Sequence, residues 1–151
     1  MASVQGSCYK VRMLGMPTRG EYALRAMAYL ATLGDESAPA LQVADQTGVP
    51  AAYLSKLLRR LTVAGLLVAQ KGHGGGFALA YEPADISFDE ILNAVDVDVD
   101  EDHCAFGWKS CDPKHPCPLH PARSSLMESL LHWARGTTLA DVLNDWVPIS
   151  E

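Results

Sequence analysis

AAYLSKLLRRLTVAGLLVAQKGHGGGFALAY, residues 51–81, changes its hydrophobic period part-way along, and that change settles the kind of fold. In the first half Leu54, Leu57, Leu58 and Leu61 fall at i, i+3, i+4 and i+7, one apolar stripe along a helix. At about 100° per residue, Ala52, Ser55, Lys56 and Arg59 lie on the opposite side. Gly65 suits the place just past a helix end, where left-handed backbone is favoured. In the second half, LLVAQ (66–70) and FALAY (77–81) are short apolar strand candidates joined by KGHGGG (71–76). A glycine-rich join between strands is a hairpin tip, whose glycines admit positive φ and let the backbone approach another surface. No Lys-Ser or Lys-Thr follows the glycines and no dinucleotide fingerprint fits, which argues against a phosphate-binding nucleotide loop.

Upstream, residues 40–46 (ALQVADQ) form a second helix, closed by Thr47-Gly48-Val49-Pro50. Two helices joined by a short Gly-containing turn, the second with a polar and basic outer face, make a helix-turn-helix. The hairpin that follows is then its wing. Residues 18–33 (TRGEYALRAMAYLATL) give a first helix, stopped by Gly34-Asp35. Downstream, residues 87–95 (SFDEILNAV) form a short helix with Ser87 as N-cap and Glu90 as its capping-box partner. Residues 119–136 give a longer helix with Leu126, Leu130 and Trp133 along one stripe, and 137–146 a last short helix capped by Thr138 or Thr137. A helix so apolar, lying away from the small helix-turn-helix core, is expected to pack on a partner subunit. The fold expected is mainly α: a winged helix-turn-helix with a two-stranded wing and a C-terminal dimerisation helix. Its parts are a loose extension (1–17), the DNA-binding domain (18–85), a short helix with a ligand loop (86–118), and the dimerisation and C-terminal helices (119–151).

The formal charge of −6 over 151 residues argues, taken alone, against nucleic acid. Its distribution argues the other way. From Gln46 to Tyr81 there is no acidic residue, while Lys56, Arg59, Arg60 and Lys71 are cationic. From Glu82 to Asp102 the sign reverses, with no Lys or Arg. A chain segregated in this way can turn one basic face to a polyanion, although an acidic run is more often ordinary solvated surface. On double-stranded DNA, Ser55, Lys56 and Arg59 should face the major groove, and Ala52 can touch a thymine methyl. Arg60 is assigned to phosphate, Lys71 to the wing base at the minor groove, and His73 to the wing tip. No apolar run reaches the length of a membrane span, and no hydrophobic segment precedes the first helix, so an unexported, cytoplasmic protein is expected.

The second decisive stretch is HCAFGWKSCDPKHPCPLH (103–120), three cysteines and three histidines among prolines. Cys104, Cys111 and Cys117 are separated by six and five residues; Cys8 stands apart in the N-terminal extension. Disulfides need pairs, and an unexported chain favours metal or redox chemistry. Structural zinc prefers shorter knuckles, although His115 or His120 could complete a Cys₃His set. An iron–sulfur cluster is larger and suits longer, proline-constrained loops. Spacing alone leaves zinc and cluster both open.

RGEYALRAMAYLA, YLSKLLRRLTVAGLL, KGHGGGFALA, ISFDEILNAVD, the three-cysteine loop and TTLADVL occur in this order in a bacterial family. From about Thr18 to Leu143 the chain resembles the Rrf-type winged-helix transcription regulators, the family of IscR-like and NsrR-like iron–sulfur sensors. The resemblance implies a homodimer joined through the long C-terminal helix, DNA binding through helix and wing, and a cluster, [2Fe–2S] or [4Fe–4S], in the cysteine loop. It implies a fourth ligand too. His120 stands where the IscR-like pattern has a histidine, and Glu21 where redox-sensing members place a carboxylate donated across the dimer; Glu21 is preferred. The six-and-five spacing departs from the family's commoner five-and-five, so cluster type stays open and one cysteine could be a spectator. IscR-like members carry glutamate where Ser55 stands, so their target sequence does not transfer.

The function expected is a transcriptional regulator whose DNA affinity follows a cluster sensing redox state, nitric oxide or iron–sulfur status. The alternative is a winged-helix regulator with zinc or thiol-sensing cysteines and no cluster. An enzyme using Cys and His as nucleophile and base is not expected, because no orienting third group stands at a recognisable spacing.

Overall fold

The computed structural model describes residues 16–97, 112 and 114–145. In chain order these are α1 (Thr18–Thr32), α2 (Ala40–Thr47), α3 (Ala51–Val63), β1 (Leu67–Gln70), β2 (Gly76–Leu79), α4 (Phe88–Ala94), α5 (His120–Gly136) and α6 (Leu139–Val142). Single 3₁₀ turns cover Pro83–Asp85 and Leu143–Asp145. The expected winged helix-turn-helix is present, mainly helical with a two-stranded antiparallel wing.

Each of the first three helices starts after a proline, Pro17, Pro39 or Pro50, whose ring holds φ near −60°. Gly48 ends α2 in the left-handed region at φ +67, and its N–H donates to the Ala44 carbonyl. That reversal, followed at once by Pro50, sets α3 against α2. The four leucines of the α3 stripe are all buried. Burial of each is worth about 1.5–3 kcal/mol against exposure, so the stripe fixes which side of α3 looks outward.

A single hydrophobic cluster joins the helices. Met27 and Leu30 of α1, Val43 of α2, Leu54, Leu58 and Leu61 of α3, Ile91 and Leu92 of α4 and Leu139 of α6 all belong to it. The chain end is stitched back into this core. Phe88 N–H donates to the Thr137 carbonyl at 2.9 Å, and Leu139 N–H to Ile86 at 3.0 Å. Both expected caps form as boxes, Ser87 with Glu90 and Thr138 with Asp141.

In α5 the pattern departs from the expected stripe. Met127, Leu130 and Ala134 face the core, while Leu126 stays 65% and Trp133 43% exposed. Leu130 alone of the expected trio is inside. Trp133 lies over the rim, its ring edge-on to Phe88 at 5.1 Å. Of the 1–17 extension, residues 1–15, with Cys8, lie outside the described residues; Met16 is buried.

Candidate nucleic-acid interface and cysteine loop

Ala52, Ser55, Lys56, Arg59 and Arg60 are all exposed on α3, on the side opposite its leucines. The Ser55 hydroxyl donates to the Ala51 carbonyl at 3.1 Å, so it presents lone pairs outward, able to accept from a base amino group. Beside it, Tyr53 stacks edge-on against Tyr22 of α1 at 5.7 Å, and the Arg25 guanidinium lies 5.8 Å from the Tyr22 ring. These rings brace the start of α3 against α1. Lys56, Arg59 and Arg60 line one side of a groove of about 550 Å³, closed on the other by Ala94 and Asp96.

The wing is pinned as well as paired. β1 and β2 run antiparallel in the register Leu67 opposite Leu79 through Gln70 opposite Gly76. Beyond the ladder, Phe77 and Ala38 exchange both backbone hydrogen bonds, at 2.8 and 3.0 Å, and the Ser37 hydroxyl donates to Gly74 at 2.8 Å. The close approach anticipated from the glycines is therefore to the chain's own backbone. Gly76, at φ +154, leaves no room for a side chain: a Cβ there would lie 2.2 Å from the Ala38 carbonyl oxygen. Lys71, directly after β1, and His73, at the hairpin tip, stand exposed on a wing held in place from behind.

Arg60 is not free for phosphate in this structure. Its Nη1 pairs with the Asp96 carboxylate, and Arg19 Nη2 of α1 donates to the Asp96 carbonyl. The α3 orientation holds, but this one cation already has an internal anion. Sequence reasoning missed Asp96 and Arg19. Asp96 stood in an acidic run that reads as solvated surface, and the feature that sets it apart, a left-handed φ of +52, has no local signature.

Of the proposed metal ligands, Cys104 and Cys111 lie outside the described residues. Cys117, the one cysteine among the described residues, is buried, 2% exposed. His120 opens α5 one turn later, its N–H donating to the Cys117 carbonyl at 3.0 Å. His115 is turned away: its Nδ1 lies 3.2 Å from Asp112 in a tight turn, with an 86% exposed side chain. The Lys114 N–H, and after it His115, hold the Asp112 carboxyl below the usual carboxylate range. Glu21 sits half-buried in the first turn of α1, next to Gly20. Gly20 is where the upstream stem of the loop is clamped, for a Cβ there would lie 2.9 Å from Val97 Cγ2 and from Met16 Sδ. The structure thus brings the stem of the loop to the helix that carries Glu21. It brings no three of His, Cys, Asp and Glu together among the described residues.

A family model for Rrf2, described as iron-dependent transcriptional regulator, matches residues 16–145. The chain belongs to the Rrf2 family. As an Rrf2 protein it is a DNA-binding transcriptional regulator and not an enzyme. It is 30% identical over 132 residues to the HTH-type transcriptional regulator IscR of Cronobacter sakazakii, covering 86% of this chain and 80% of that one. With IscR of Serratia proteamaculans the identity is 29% over 131 residues, covering 86% and 79%. Among solved structures, T. potens IscR superposes with a TM-score of 0.66 at 27% identity, over 87% of this chain and 88% of that one. CymR, the global cysteine regulator of B. subtilis, shares the fold, with a TM-score of 0.70 at 23% identity over 89% and 100%. Among the described residues of this Rrf2 chain, no helix is long and apolar enough to cross a membrane.

Proposed function

We propose that this chain is a homodimeric, cytoplasmic regulator whose affinity for double-stranded DNA is set by an iron–sulfur cluster in the cysteine loop. The observation that carries the reading is the placement of the loop's two ends. Upstream, Asp96 and Val97 are fastened to α1 and α3. Downstream, Cys117 is buried at the head of α5. The loop therefore spans the reading helix and the helix proposed to join the subunits.

The residues present fit a cluster: a buried thiol at Cys117, an imidazole one turn on, and a carboxylate on the helix that clamps the stem. Cys104, Cys111 and Cys117 would hold it, with Glu21 or His120 as the harder fourth ligand. When bound, a [2Fe–2S] or [4Fe–4S] centre with such a ligand supplies an iron open to redox change or nitrosylation. The chain's own part is mechanical. Ligation of the cysteine loop would fix the stem, the stem bears on Gly20 and Arg60, and those set the pose of α1 and α3. Moving such a balance from 1:99 to 99:1 takes about 5.5 kcal/mol, the scale of a ligand bond rather than of an exposed charge.

Dimerisation through α5 is supported by its outward face. Leu119, Leu126 and Trp133 are exposed and seven residues apart, a seam that stays in line over two heptads. The division of labour proposed is reading by 18–85, sensing by 86–118 and pairing by 119–151. On DNA we assign the major groove to Ala52, Ser55, Lys56 and Arg59, phosphate to Arg60, and the minor groove flank to Lys71 and His73.

The test is anaerobic purification with iron, sulfide and visible-spectrum analysis, together with operator binding before and after iron removal. Coloured protein with near-stoichiometric iron and sulfide is expected, with Glu21→Ala or His120→Ala altering the spectrum according to which is the ligand. Colourless protein containing zinc or no metal would favour the zinc or thiol-sensing regulator instead.

A further inference from the structure

Arg19, Tyr53, Lys56, Leu57 and Arg60 enclose a hollow of about 210 Å³ on the DNA-reading side of α3. Three cations from two helices meet there, an arrangement that is favourable only with an anion among them. In the structure the anion that meets two of these cations belongs to the chain: Asp96, which reaches Arg60 and Arg19 from the adjoining groove and does not itself line the hollow. The Asp96 carboxylate takes Arg60 Nη1 and its carbonyl takes Arg19 Nη2, while Arg19 Nε is buried with no partner among the described residues.

The backbone, more than the side chain, puts the carboxylate there. Asp96 is the one non-glycine residue with positive φ among the described residues, a conformation Asp tolerates better than most. Val97, buried beside it against Gly20, holds it in place. The Arg60–Asp96 pair is itself weak, because its side chains are 52% and 63% exposed and water competes for both. A duplex phosphate carries the same unit charge as the carboxylate but releases condensed counterions on binding, so it can displace it.

We propose that Asp96 is an internal competitor for DNA phosphate: it occupies Arg60 in the free protein, and a backbone phosphate entering the Arg19–Lys56–Arg60 hollow takes its place. The inference rests on α3 being the DNA-reading helix. It adds Arg19 to the phosphate contacts and makes Asp96 a positioning residue that acts through Arg60. Because Asp96 directly precedes the cysteine loop stem, any event that shifts the stem also shifts the competitor.

The test uses Asp96→Asn, which keeps the size and the tolerance of left-handed backbone and removes the charge. Binding to a short mixed-sequence duplex is measured across a salt series, since a phosphate contact needs no particular operator. The variant should bind roughly three- to fivefold more tightly at low salt. Its plot of log affinity against log salt should keep the wild-type slope, because the same phosphate is contacted in both complexes, whereas Arg60→Ala should flatten that slope by about 0.9 per half-site. In an Arg60→Ala background Asp96→Asn should not tighten binding. Thermal unfolding of each variant confirms that the fold is kept. Unchanged or weaker binding by Asp96→Asn would overturn the proposal, as would a gain that persists undiminished without Arg60. Wild-type protein showing no salt-dependent duplex binding would instead defeat the DNA-reading assignment, and this inference with it.

Discussion

Substituting Gly76 by alanine puts the pinning of the wing under direct test. The added Cβ would lie 2.2 Å from the Ala38 carbonyl oxygen, 2.3 Å from its carbon and 2.6 Å from Pro39 N, all of them backbone atoms. No rotation of a neighbour relieves such a clash. Two outcomes are open to the chain. It can keep the wing docked and carry both the clash and an alanine at φ +154, or it can let β2 swing away and lose the paired bonds between Phe77 and Ala38. Two backbone bonds at about 1 kcal/mol each put the second route near 2 kcal/mol, before the packing of Phe77 is counted. Backbone strain of about 1–3 kcal/mol, with the clash added, makes the first route dearer. The cheaper route wins, so a loss of about 2–4 kcal/mol is expected, or roughly 5–15 °C in Tm for a chain of this size. Gly72→Ala is the matched control: its φ is +99 but nothing lies within 4 Å, so strain alone of about 1 kcal/mol should register. Urea and thermal unfolding followed by circular dichroism give both numbers. Gly76→Ala within about 0.5 kcal/mol of wild type, or no costlier than Gly72→Ala, would refute the account of the wing as a strand locked onto the segment before α2.

On DNA, Lys71→Ala should weaken binding to all sequences alike and flatten the salt dependence by about one phosphate's worth, whereas Lys56→Ala should relax preference at one position per half-site. A loss at a single base position for Lys71, or a uniform loss for Lys56, would reverse the roles of wing and helix. Leu126→Glu, placed in the middle of the exposed α5 seam, should shift the protein from dimer to monomer in analytical ultracentrifugation while circular dichroism stays near wild type. A variant that sediments as the wild type would remove α5 from the interface.

Most of the architecture was legible in the sequence because it is built from short-range signals. The four-leucine stripe, the Gly48-Val49-Pro50 turn, the Ser87–Glu90 box and the glycine-rich hairpin each depend on residues within two turns or so of one another. The exposed face of α3 followed from the buried one, and the structure places every residue assigned to it outside. For α5 the same reasoning stopped short. That helix carries apolar residues on more than one side, and periodicity cannot say which side the rest of the core will meet. The structure gives the core Met127, Leu130 and Ala134, leaving Leu126 and Trp133 at the surface.

The site divides along the same line. Residue types alone were enough to read 51–81 as a helix and wing with a basic face, and to find in 103–120 donors suited to a metal centre, since helix period, glycine tolerance and thiol chemistry are properties of neighbours in the chain. Only the tertiary structure could pair Arg60 with Asp96, 36 residues apart, seat Val97 on Gly20, or bind the wing to Ala38. Those contacts exist because packing one shared core brings distant backbones within hydrogen-bonding reach, and no pattern along the chain records where that will happen.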